Sequence, residues 1–489
     1  MPMGKGPIRG ARTGEYDHRP VLFPTIQFAI FFVVVLTANW LLLPTPRRWK
    51  VFMLAASYVF YGAWDWRFTF LMAGISIANH AVAKGINATS DPLRRKRLLA
   101  LGVVVSLAVL GWFKYYGFFI SSLLNLLNPL GIALPLPLLE ITLPVGISFF
   151  TFQALTYPID VYRGRQETVP LLDFMVFVAF FPQLVAGPIV RASEFLPQLH
   201  SRPNPRRVQG AEGFLLVAGG LFKKVVVANT LATTLVDPVF ASPQNFSGLE
   251  VLMGIYGYAV QIFADFSGYT DIAIGCALLM GFRFPQNFNR PYMADSIQDF
   301  WRRWHMTLSR WLRDYLYIPL GGNRQGRGAT YRNLAVTMVL GGLWHGAAWT
   351  FVLWGGLHGA GLALERWLGE RRPTEVSASA PGRGLRRLLV FHFVCLGWVL
   401  FRSDSVATAA TVLSRLSDWG PAPAVTPTVL ALIAGGIGVQ YLPASLRLQV
   451  RAGFARLRPL AMAGALGGFL LILDALGPEG VAPFIYFQF

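Results

Sequence analysis

Histidines, carboxylates and arginines cluster between positions 261 and 359, in a chain most of which avoids charge. Leu340-Gly-Gly-Leu-Trp344-His345-Gly346-Ala-Ala-Trp349 sets an imidazole inside an apolar run. An ionisable side chain at membrane depth is costly to bury, so it is a functional hypothesis by default. A histidine titrates near neutrality and suits general-base work on a hydroxyl. The small residues around His345 let a substrate or a second backbone approach closely. The competing reading is a histidine hydrogen-bonded between helices. His358, beside Trp354-Gly355-Gly356, fits that plainer reading better than a chemical one.

A second cluster runs Phe300-Trp301-Arg302-Arg303-Trp304-His305-Met-Thr-Leu-Ser309-Arg310-Trp311-Leu-Arg313-Asp-Tyr315. It contains no Pro or Gly, which predicts a helix with Trp301, His305 and Ser309 on one face. Arg302 and Arg303, with Trp301, could bind the phosphates of a cofactor such as an acyl carrier, because a guanidinium offers forked donors. The alternative is an amphipathic helix at the membrane interface, with Trp anchors and a basic face toward phospholipid. Upstream, Gln261-Ile-Phe-Ala-Asp265-Phe-Ser-Gly-Tyr269-Thr-Asp271 carries two carboxylates in an apolar setting, and Asp265 shares a helix face with Tyr269. Asp265 and Asp271 either fix helix packing or orient a substrate. Asn287, in Pro285-Gln-Asn287-Phe-Asn289-Arg-Pro-Tyr292, lies in a connection that does not read as a span.

Composition indicates the scaffold that carries these groups. Charged residues are 14% of the chain, against about 25% in an average soluble domain. Hydrophobic residues are 54% and mean hydropathy is +0.48. These values exclude disorder, a coiled coil and a nucleic-acid-binding module, and indicate an all-α polytopic membrane protein. The net charge of +19 sits in short clusters between apolar runs, as topology-setting loops facing anionic lipid would. Apolar runs at 21–43, 50–63, 67–84, 98–127, 141–160, 171–190, 212–235, 248–281, 333–365, 385–402, 426–443 and 459–476 predict about eleven crossings. Pro144 and Pro158 interrupt one run; Pro182, Gly187 and Pro188 interrupt another. Broken backbone survives at membrane depth only beside protein or water, so both are expected to be re-entrant and to line a cavity.

The chain reads as one membrane domain over 1–489, with a polar segment at 1–20, a motif-bearing core at 180–359, a flexible loop at 370–384 and an aromatic motif at 483–489. The basic clusters put the N-terminus outside. Lys223 and Lys224 are grouped with the cytoplasmic clusters. Cys276 and Cys395 read as small buried hydrophobes. No metal-ligand spacing, P-loop or G-x-S-x-G elbow appears. Buried polar residues and broken spans also suit a transporter, but the internal repeat of many transporters is missing.

Taken in order, Phe180-Phe-Pro-Gln-Leu-Val-Ala-Gly-Pro-Ile-Val-Arg191, Phe263-Ala-Asp-Phe-Ser-Gly-Tyr-Thr-Asp-Ile-Ala-Ile-Gly275, Asn287-Phe-Asn-Arg-Pro-Tyr292, Phe300-Trp-Arg-Arg-Trp-His305, Leu312-Arg-Asp-Tyr-Leu-Tyr317 and Trp344-His-Gly346 resemble the membrane-bound O-acyltransferase family. Within it the likeness is to the alginate O-acetyltransferase branch, with D-alanyl-lipoteichoic-acid transfer proteins as relatives. The resemblance implies a ring of transmembrane helices around a thinned centre and tunnel. It matches the family's main histidine to His345 and a second functional histidine to His305. It implies an acyl group, acetyl from cytoplasmic acetyl-CoA, carried across the bacterial inner membrane to an extracytoplasmic polysaccharide such as alginate. No permanently bound cofactor is expected; acetyl-CoA is a donor substrate. An extracytoplasmic SGNH-type acyltransferase is the implied partner. Pro483-Phe-Ile-Tyr486-Phe-Gln-Phe489 resembles an F-x-Y-F motif of this branch, in which Tyr486 is a candidate acyl relay. A phenol titrates at about 10, so an imidazole could take its proton; the plainer reading is an aromatic interface anchor. D-alanyl transfer, or O-acetylation of peptidoglycan or cellulose, are same-mechanism alternatives.

Overall fold

In hydrocarbon every backbone polar group needs an internal partner, so a chain this apolar must close its hydrogen bonds within helices. The computed structural model describes residues 23–132, 134–185, 187–201, 203–205, 208–371 and 380–477, and these contain helices and no strand. Four helical stretches are long and apolar enough to cross a membrane: Pro92–Leu130, Gly210–Ala241, Gly248–Leu279 and Pro381–Arg402. Ile26–Leu42, Pro427–Tyr441 and Leu460–Leu476 are shorter and also apolar. The first and third of the long stretches differ sharply: 17% of the apolar window of Pro92–Leu130 is buried, against 83% for Gly248–Leu279. The former therefore turns apolar side chains such as Leu101, Val104 and Phe119 outward, toward lipid. The latter is the axis around which the other helices pack.

Local chemistry explains that axis. Ser247 and Glu250 form a capping box, with the Ser247 amide donating to Glu250 Oε2 at 2.9 Å and the Glu250 amide donating to Ser247 Oγ at 3.4 Å. Two glycine pairs let the neighbouring helix come into backbone contact. A Cβ on Gly220 would lie 2.6 Å from the Gly268 carbonyl oxygen, and one on Gly275 2.6 Å from that of Gly213. Small residues at such crossings replace the missing hydrophobic drive with close packing.

The same contact corrects the placement of Lys223 and Lys224. They do not lie in an exposed basic loop. They occupy a π-helical turn, Lys223–Ala228, facing the axis. Lys224 Nζ is 2.5 Å from Asp265 Oδ1, with both side chains buried, and 5.6 Å above the Tyr269 ring. Lys223 Nζ is 2.5 Å from Asp271 Oδ2 and donates to Ser267 Oγ at 3.0 Å. The cost of a buried carboxylate makes a partner obligatory for Asp265, and Lys224 supplies it; the Lys223–Asp271 pair beside it is only half-buried.

Other expectations change in detail. The run at 333–365 is not one span but two helices, Arg327–His345 and Trp349–Arg371, so His345 ends a helix instead of lying mid-span. These helices touch through glycine: a Cβ on Gly342 would lie 2.2 Å from the Phe351 carbonyl oxygen, and one on Gly355 2.4 Å from that of Met338. The continuous helix expected over 300–315 breaks after Ile297–Arg303 and resumes at Met306–Leu312. His305, at φ 41°, makes the break, so Trp301, His305 and Ser309 do not share one helix face. Of the loop at 370–384, helices extend to Arg371 and from Ala380; residues 372–379 lie outside the described ones, as do 1–20 and the motif at 483–489.

Candidate active site

The two proline-broken segments do line a cavity. In the turn Pro144-Val145-Gly146 there is no room for a side chain at the glycine: Gly146 takes φ 71°, and a Cβ there would lie 2.9 Å from the Leu184 carbonyl oxygen. Helix Ile147–Tyr162 starts from this turn, with Phe149 and Phe150 amides donating to the Gly146 carbonyl. Tyr61 donates to the Val145 carbonyl at 2.8 Å and pins the turn. Leu143–Phe149 and Val185 then wall a cavity of about 200 Å³ together with Trp64, Lys114, Trp344 and His345.

His345 is 3% exposed, and its exposure is to this cavity. Its ring is packed edge-on against Trp344, Trp354 and Phe401, with centroids 5.0, 5.2 and 5.1 Å away. Three aromatic rings wall the imidazole, and the residue borders the cavity beside Lys114 and Ser148. Lys114 Nζ donates to the carbonyls of Trp344 at 2.6 Å and His345 at 3.0 Å, and to Ser148 Oγ at 3.3 Å. The site therefore combines a nitrogen base, a cation and a hydroxyl on walls that are otherwise mainly apolar.

His305 lies behind this wall. It is fully buried, its ring centroid is 6.3 Å from that of His345, and it is not among the described lining residues. Asn287 holds it. The Asn287 side-chain oxygen accepts from His305 Nδ1 at 3.2 Å and from the Thr307 amide and hydroxyl at 3.1 and 2.8 Å. Three donors on one oxygen assign the proton to Nδ1. The Met306 amide donates to the Asn287 carbonyl at 2.9 Å, so Asn287 holds the turn over residues 305–307, while the Asn289 amide donates to the Arg303 carbonyl at 2.9 Å at its other end. His305 Nε2 is buried and meets no hydrogen-bond partner among the described residues.

The remaining sequence candidates sit elsewhere. Trp301 stacks edge-on against Trp354 and His358, and its indole donates to His358 Nδ1 at 3.3 Å. Arg302 is exposed and donates to Gln298 at 3.2 Å; Arg303 pairs with Asp299 at 2.7 Å. Neither arginine lines the cavity. Asp265 and Asp271 belong to the lysine pairs of the axis. Tyr486 lies outside the described residues. Sequence reasoning passed over Lys114, Tyr115 and Ser148. Lys114 had left a signal, since it is the one charged residue in an apolar run at 98–127.

A multi-pass helical membrane protein with a buried histidine at the wall of a cavity is the class these observations define. Residues 104–374 match the membrane-bound O-acyltransferase family, and the chain belongs to it. It is 43% identical over 402 residues to a probable alginate O-acetylase of Pseudomonas aeruginosa, covering 82% of this chain and 75% of that one. It is 37% identical over 429 residues to a peptidoglycan O-acetyltransferase of Helicobacter pylori, covering 81% and 80%. A teichoic acid D-alanyltransferase of Bacillus subtilis is 28% identical over 277 residues, 53% of this chain and 68% of that one. The protein is accordingly an O-acyltransferase enzyme, and membership in this family sets aside the transporter reading.

Proposed function

We propose that the protein moves an acetyl group from cytoplasmic acetyl-CoA across the bacterial inner membrane for O-acetylation of an extracytoplasmic polysaccharide such as alginate. The observation that carries the reading is His345, a buried histidine bordering a cavity large enough for an acetyl group and an attacking hydroxyl. A His345 ring nitrogen takes the hydroxyl proton as the oxygen attacks the thioester carbonyl. The carbon–sulfur bond then breaks, and the imidazolium returns the proton to the departing thiolate. The products are an O-acetyl ester and the free thiol. His305, oriented by Asn287, supports the wall behind His345. The names of the relatives support acetyl as cargo and a cell-envelope polymer as destination. An extracytoplasmic SGNH-type acyltransferase completes transfer to the polymer, and Tyr486 serves as an acyl relay on that side.

The test is alkali-released acetate from envelope and secreted polysaccharide, in a deletion strain complemented with each variant. H345A is expected to release background acetate at unchanged membrane abundance; near-normal acetate from H345A removes the mechanism. Y486F is expected to abolish transfer with little change in abundance, and full activity rejects the relay. Mass analysis of the polysaccharides separates alginate from peptidoglycan or cellulose, and D-alanine in place of acetate reassigns the cargo.

A further inference from the structure

The last four carbonyls of a helix have no partner inside it, and many helices solve this with a left-handed glycine that folds the chain back onto its own end. The helix that ends at His345 does not. Gly346 is extended, at φ −155°, and its amide returns only to Gly342 O, at 3.3 Å. The other three carbonyls are met from a distant stretch of sequence. Tyr115 hydroxyl donates to Leu343 O at 2.7 Å, and Lys114 Nζ donates to Trp344 O and His345 O. The two donors are consecutive residues of a π-helical turn, Gly111–Tyr115, set into an otherwise α-helical stretch. Such turns are rare and frequent at functional sites. A cation here also meets the negative end of the helix dipole. Lys114 reaches Ser148 with its third donor and lines the same cavity as His345.

We infer that Lys114 and Tyr115 form a cap, supplied in trans, that positions His345 for transfer. The inference rests on the reading of His345 given above. An aromatic side chain fixed by packing alone can rock about its backbone; one whose own carbonyl is clamped by an ammonium cannot move its Cα without breaking that bond. Lys114 is thus a positioning residue, and it acts through the helix end on the imidazole.

The experiment uses the full chain in native membranes, with labelled acetyl-CoA as donor probe and label transferred to polymer as readout. K114M keeps the length of the side chain and removes its donors. It is expected to keep wild-type abundance and half-saturating acetyl-CoA concentration while maximal transfer falls about a hundredfold, the scale of a misplaced catalytic group. K114R, whose guanidinium can donate to both carbonyls, is expected to recover part of that loss. Wild-type transfer by K114M overturns the inference. So does a raised half-saturating concentration with unchanged maximal transfer, which would make Lys114 a donor-binding group. If K114M fails to accumulate, Y115F decides: a smaller fall at full abundance supports the cap, and no fall rejects it. H345A keeps the two claims apart. Transfer by H345A sinks the histidine mechanism, whereas loss in H345A with wild-type transfer in both K114M and Y115F leaves that mechanism standing and sinks the cap alone.

Discussion

Two regions of this protein bury polar side chains at membrane depth, and they solve the problem in opposite ways. Along the axis, Lys224 faces Asp265 and Lys223 faces Asp271, each cation matched by a carboxylate at 2.5 Å. At the His345 wall, a cation is met by carbonyls and a hydroxyl, and His345 borders a cavity. The first region cancels its charges in pairs, and the Lys224–Asp265 pair is closed off. The second leaves its polarity neutralised only by dipoles and open to a space. Buried polarity in a membrane chain is therefore weak as a sign of chemistry until one knows what it faces.

The largest test of this contrast is H345A, expected to remove acetylation to background at unchanged abundance. On the other side, K224A strands a buried carboxylate, and loss of one partner from such a pair costs about 3–5 kcal/mol. Its signature is the reverse: lower abundance and a lower thermal midpoint in detergent, with residual activity scaling with the amount of folded protein. The K224M/D265L double variant should recover much of that midpoint, because an apolar pair of similar volume avoids the desolvation cost. A K224A protein with a normal midpoint but no transfer would move the axis into the catalytic machinery and erase the distinction. N287A should cost about 1–3 kcal/mol, since it leaves buried Thr307 and His305 donors without an acceptor, and it should lower transfer more than the stability loss alone explains. K223A, in a pair that keeps contact with solvent, should cost about 1 kcal/mol or less. The smallest effect is expected from R302A, an exposed side chain: transfer within about twofold of wild type and a stability change within about 0.5 kcal/mol.

Much of this was legible before any coordinates. Composition alone indicated helices in a membrane, and the cost of an imidazole in an apolar run singled out His345. The prolines at 144 and 182 marked segments that now supply cavity wall. What the sequence hid depended on partners distant along the chain. Nothing local to Asp265 names Lys224 as its partner, and Lys224 was grouped with the basic clusters because it adjoins Lys223. The break at His305 was hidden for a different reason. No Pro or Gly announces it; the turn is imposed by Asn287, which binds it from a connection well upstream. Helix periodicity had no means of registering that. Lys114 was the avoidable miss, because a lone charge in an apolar run follows the same rule that identified His345.

The backbone at His305 has one more consequence. A φ of 41° lies in the left-handed region, which side chains rarely occupy, and histidine, asparagine and aspartate tolerate it better than most. The position is thus constrained twice, once for its ring and once for its handedness. Alanine scanning would confound the two, because an alanine there deletes the ring and strains the chain together. Asparagine fits the inverted torsion and lacks the imidazole, while glycine removes both the side chain and the torsional penalty. Set beside alanine, either replacement isolates the bend, because all three lack the ring and only alanine opposes the inverted torsion.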